Sequence, residues 1–78
     1  SADSYLLVMH LSGNGEANSM QLMKQLRYHK LKSKTITSRG IEVTYEVRVD
    51  KSEAFLNKLL TLDGVNEASL VAYQSETV

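Results

Sequence analysis

Seventy-eight residues, 42% of them apolar and none of them cysteine, describe one globular domain without disulfides, thiolate metal sites or a cysteine nucleophile. A chain this short buries only about 60–65% of its unfolded surface, so its core is thin. Nine Lys/Arg balance nine Asp/Glu, but unevenly: residues 1–40 hold six bases against two acids, and residues 41–78 hold three against seven.

In chain order, Tyr5–Leu11 is the first predicted strand, closed by the turn cluster Ser12-Gly13-Asn14-Gly15. Tyr5, Leu7, Met9 and Leu11 face one way; Leu6, Val8 and His10 face the other, as in a strand buried on both sides. From about Ala17 the period lengthens. Met20, Leu22, Met23 and Leu26 recur at helical spacing, predicting an amphipathic helix of about three turns capped by Asn18 or Ser19. Lys24, Arg27, His29 and Lys30 suit its negative pole. Leu31–Ser38 reads as a polar edge strand guarded by lysines, and Ser38-Arg39-Gly40 as a tight turn.

Ile41–Val49 carries the cleanest pattern. Ile41, Val43, Tyr45, Val47 and Val49 alternate with Glu42, Thr44, Glu46 and Arg48, the signature of a half-buried strand antiparallel to its predecessor. Asp50 or Ser52 then caps a second helix, with Glu53 completing an approximate capping box. Phe55, Leu56, Leu59, Leu60 and Leu62 form its buried stripe, and Gly64 follows as a left-handed stop. Val65–Tyr73 is the last strand, with Ala68, Leu70 and Ala72 on one face and Val71 and Tyr73 on the other. Gln74–Val78 reads as a tail.

The order is βαββαβ. Right-handed crossovers place both helices on one face of a four-stranded antiparallel sheet, an α+β, ferredoxin-like sandwich with the first and third strands central. Residues 1–78 form one such domain. The stretch Leu31–Ser75, with Lys32-Ser33-Lys34, Glu42-Val43-Thr44-Tyr45-Glu46-Val47-Arg48, Leu62-Asp63-Gly64-Val65 and Leu70-Val71-Ala72-Tyr73, resembles the C-terminal cytosolic ACT-like domain of a bacterial multi-pass membrane-protein family. That family is similar in architecture to MgtC/SapB-type proteins. The resemblance implies a piece of a longer membrane protein, on the cytoplasmic side of the inner membrane, joined to the bilayer only through a transmembrane region outside this chain. Opening on Ser1 rather than Met agrees with that expectation. The resemblance supplies no catalytic motif, and no residue role is carried over from it.

The residues themselves argue against several activities of this fold. Ser12–Asn18 has no arginine for an acylphosphatase-like phosphate cradle, and no CxxC exists for a metal chaperone. Outward carboxylates on the third strand repel nucleic acid, where RNA-binding sheets carry aromatics. His10 and His29 lack metal-ligand spacing, and no nucleophile–base set assembles. The reading is therefore no enzyme, no metal and no cofactor.

Three surfaces remain. Gly13, Asn14, Gly15 and Asn18 join a strand to a helix N-terminus, where free amides favour a small or anionic ligand; a glycine-rich turn of purely local use is the leading alternative. Lys32 and Lys34 are expected to pair across strands with Glu42 and Glu46, while Lys24, Arg27 and Lys30 stay free to meet anionic lipid headgroups. Mutual pairing is the favoured account of the basic stretch. Finally, Leu6, Val8, Val71 and Tyr73 gather on the open sheet face as an apolar patch, and self-association as a two-fold homodimer is expected through this face or through the edge of the last strand. Together these describe a regulatory or assembly domain that self-associates and senses a small ligand for a membrane partner, or a protein–protein module without a ligand.

Overall fold

A computed structural model describes residues 2–72. The elements are β1 (Asp3–Leu11), α1 (Gly15–Met23), β2 (Tyr28–Thr37), β3 (Gly40–Val49), α2 (Ser52–Leu60) and β4 (Val65–Ala72). They form one four-stranded antiparallel sheet in the order β2-β3-β1-β4, an α+β ferredoxin-like arrangement with β1 and β3 central as expected.

Strand alternation sorts the sheet into two faces. Leu7, Met9 and Leu11 of β1 and Val43, Tyr45, Val47 and Val49 of β3 all turn to the same side, where they meet Met23 of α1 and Phe55 and Leu59 of α2. Each of these residues is buried, so the core is one layer between the sheet and its helices. The opposite face carries Leu6, Val8 and His10 beside Glu42, Thr44, Glu46 and Arg48, and among the described residues no element covers it. β1 is therefore buried fully on one side only: Leu6 and Val8 are half-buried and His10 is exposed.

The first helix is shorter than its apolar spacing predicts. It stops at Met23, tightens through bonds from the amides of Gln25 and Leu26 to the carbonyls of Leu22 and Met23, and gives way to β2 at Tyr28. Ending there lets residues 28–37 follow β3 along its whole length. Every extra paired residue removes a backbone donor and acceptor from the unpaired edge of a central strand. Consequently Arg27 and Lys30 lie beyond the helix and His29 lies within β2 opposite Val47, so these side chains do not serve the helix dipole.

The expected caps also differ. α1 begins at Gly15 with Asn14 at its N-cap position and α2 at Ser52 with Lys51 there; neither makes a side-chain capping bond. Ser19 is buried inside α1 and donates to the Glu16 carbonyl at 3.1 Å.

β2 contains a bulge between Leu31 and Ser33 that the sequence did not announce. Two residues against one on the partner strand switch the faces of everything that follows. Lys34 and Ile36 therefore share the helix side with Val43 and Ile41. Lys34 does not pair with Glu42 or Glu46; its ammonium sits 2.6 Å from the Glu16 carboxylate at the start of α1. Lys32 does reach Glu46, at 3.9 Å. The two sheet edges thus differ in chemistry. β2 has Lys30, Lys32, Lys34 and a bulge, whereas β4 carries a single charge, Glu67.

Candidate functional site

The β1–α1 loop is held by the turn that precedes β4. The Ser12 amide donates to the Gly64 carbonyl at 2.9 Å, and the Gly15 amide donates to the Ser12 carbonyl at 2.8 Å. Asn18 donates from its side-chain amide to the Asp63 carbonyl at 2.8 Å, and Asn66 donates to the Ser12 hydroxyl at 3.0 Å. The two backbones approach so closely that a Cβ on Gly15 would lie 2.1 Å from the Gly64 oxygen. Of the four residues expected at a ligand, Gly15 and Asn18 thus work on contacts within the chain. Gly13 and Asn14 are exposed, with nothing within 4 Å of a Cβ added to Gly13. The partner of this loop, Gly64, lies far along the sequence, where no local pattern links it to Gly15.

On the open face, the register brings together three of the four residues expected at a self-association surface. Leu6 lies directly across from Val71 on β4, and Val8, two residues on, lies across from Ser69. Val71 is 51% exposed although it sits beside a central strand. Glu46 and Thr44 of β3 border Leu6 and Val8 on the other side, giving an apolar row with a polar margin. Tyr73, the fourth, lies outside the described residues.

A third feature lies at one end of the sheet. His10 Nε2 is 3.0 Å from a Glu42 carboxylate oxygen, a cross-strand pair on the open face. Beside them the β2–β3 turn and the start of β4 leave a cleft of about 340 Å³, lined by His10, Arg39, Gly40, Glu42 and Asn66 among others. The cleft draws on four strands, so its lining is scattered through the sequence and no local motif marks it. Both signs of charge face it, so it selects neither anions nor cations by charge alone. Among the described residues, no group of three or more His, Asp or Glu side chains is placed to hold a metal ion.

Among the described residues, one ionisable group is clearly perturbed. Burial pushes the Tyr45 hydroxyl above its ordinary value of 10.0, the Glu16 charge adds to that, and Lys34 opposes it. A raised folded-state pKa means that the neutral phenol is favoured by folding. Its stabilising contribution is complete below pH about 10 and is lost as the pH rises through the raised value. Urea midpoints should therefore fall above pH about 10, and Tyr45→Phe should flatten that part of the profile. An identical alkaline limb in the variant would show that another group is responsible.

Comparison with family models, curated proteins and solved structures finds no match. No helix among the described residues is long and apolar enough to cross a membrane.

Proposed function

We propose that this domain is a non-catalytic association module that pairs with a second copy through its open sheet face, in the service of a regulatory role for a membrane-embedded region of a longer protein. The observation that carries the reading is the placement of Val71, half exposed and directly opposite Leu6 on a face that no element among the described residues covers. Apolar surface gathered in this way gains roughly 25 cal/mol per Å² when a partner removes it from water. A two-fold partner is the simplest, because one patch then serves both sides. Val71→Glu places a charge in the middle of the row and should convert a dimer to a monomer in sedimentation. A wild-type chain that stays monomeric at high concentration would end the proposal.

The membrane context and the ACT-like character rest on the resemblance described above. Ligand sensing is the weaker half of the proposal, because Gly15 and Asn18 already satisfy contacts inside the chain. That engagement favours a second reading, a protein–protein module with no small-molecule ligand. Thermal-shift measurement against amino acids, nucleotides, phosphate, polyphosphate and divalent ions separates the two. A ligand that binds the folded state must raise Tm. A flat response across the panel leaves assembly as the whole function.

A further inference from the structure

We infer that the β2 edge docks directly on the surface of an anionic lipid bilayer. Residues 24–39 hold Lys24, Arg27, Lys30, Lys32, Lys34 and Arg39, together with His29, and no acid at all. All nine acids and only three Lys/Arg fall in the rest of the chain, so a molecule of zero net charge carries one basic segment, which runs from the end of α1 through β2 to the β2–β3 turn and meets Glu46 and Glu16 from neighbouring elements. Among the described residues, Lys32 and Lys34 have carboxylates within 4.0 Å, while Lys24, Arg27, Lys30 and Arg39 have none.

The same edge is oily. Nine of the ten residues of β2 are exposed. Of the five large apolar side chains left exposed among the described residues, three lie on this strand: Tyr28 at 38%, Leu31 at 48% and Ile36 at 73%. Leu31 and Ile36 belong to the helix side of the sheet, opposite Tyr45 and Ile41, but α1 ends at Met23 and leaves them uncovered.

Cations alone would suit any polyanion; the aliphatic side chains decide between partners. Nucleic acid rewards aromatic rings on which bases stack, and β2 offers one, Tyr28. Leu31 and Ile36 have no stacking face, but they gain free energy at the boundary between headgroups and acyl chains while neighbouring lysines meet the phosphates. A second copy fits this edge poorly, since three lysines in β2 would then approach three of their own kind. A hydrated headgroup layer also keeps the strand's open backbone groups solvated. The docking does not depend on the proposed self-association, which uses the open face.

The test is sedimentation of the chain with phosphatidylcholine vesicles, with and without phosphatidylserine, at low and high salt. The expected result is retention only by the anionic vesicles, weakened about tenfold or more by high salt. Lys24→Glu, Arg27→Glu and Lys30→Glu together should lower retention about a hundredfold, at about 1 kcal/mol per cation. Leu31→Ser with Ile36→Ser keeps every charge and should also lower it, about tenfold. All these positions are exposed or half-buried at the surface, and circular dichroism establishes that each variant is folded. Absence of retention by anionic vesicles overturns the inference. So does retention that the serine pair leaves unchanged, which is the behaviour of a general polyanion site that an oligonucleotide would occupy equally well.

Discussion

Gly64→Ala should unfold the domain or come close to it. The residue sits at φ +86, where a side chain costs about 1–2 kcal/mol. An added Cβ would also lie 2.2 Å from the Ser12 carbonyl oxygen and 2.4 Å from the Gly15 nitrogen. Both neighbours are backbone, and both belong to the hydrogen-bonded seam between the β1–α1 loop and the α2–β4 turn. Relief therefore requires breaking that seam, and a total cost of roughly 3 kcal/mol or more follows from conformation and lost hydrogen bonds together. At about 0.05–0.15 kcal/mol per residue, the whole domain has only some 4–12 kcal/mol to lose. Gly13→Ala is the matched control. Its φ is also positive, at +52, but a Cβ there meets nothing within 4 Å, so its cost should stay near the conformational term alone. Denaturant melts that show the two variants equally stable would mean that the close approach carries no energetic weight.

Leu7→Ala should cost about 2–5 kcal/mol, the range for emptying a buried leucine site. Leu7 is wholly buried on the central strand, opposite Tyr45 on one side and Leu70 on the other. A one-layer core offers few neighbours that can shift to refill the space. Val8→Ala, one residue along on the open face and only half-buried, should cost much less. Equal losses at the two positions would contradict the division of the sheet into a packed and an uncovered face.

The fold was legible because its strongest signals were periodic. Nine alternating residues from Ile41 to Val49 define a half-buried strand almost without context, and β3 follows them closely. Leu7, Met9 and Leu11 alternate with Leu6, Val8 and His10, and the structure sorts them to opposite faces as that pattern implies. The end of α1 was not legible, because Leu26 continues the helical spacing past Met23 and still packs against the core from the turn beyond it. The bulge at Lys32 was invisible for a related reason. β2 is exposed along nearly its whole length, so burial imposes no pattern from which its register could be read.

For the candidate surfaces the same division holds. Leu6, Val8 and Val71 share a face as the strand patterns required, since alternation and strand order suffice to place them. The fastening of Gly15 to Gly64 arises from tertiary contact between two turns, and the sequence offers a reason for each glycine but none for their meeting. The cleft beside His10 and Glu42 and the uncovered Leu31 and Ile36 depend on where neighbouring elements stop, which local spacing does not encode.

The near-absence of charge along β4 has a consequence for handling the protein. Heating, crowding or storage at high concentration exposes every sheet rim to stray extended chain, and repulsive side chains decide which rim resists it. Misassembly of this domain should therefore begin at Val65–Ala72 and spread from there, with the opposite rim remaining inert.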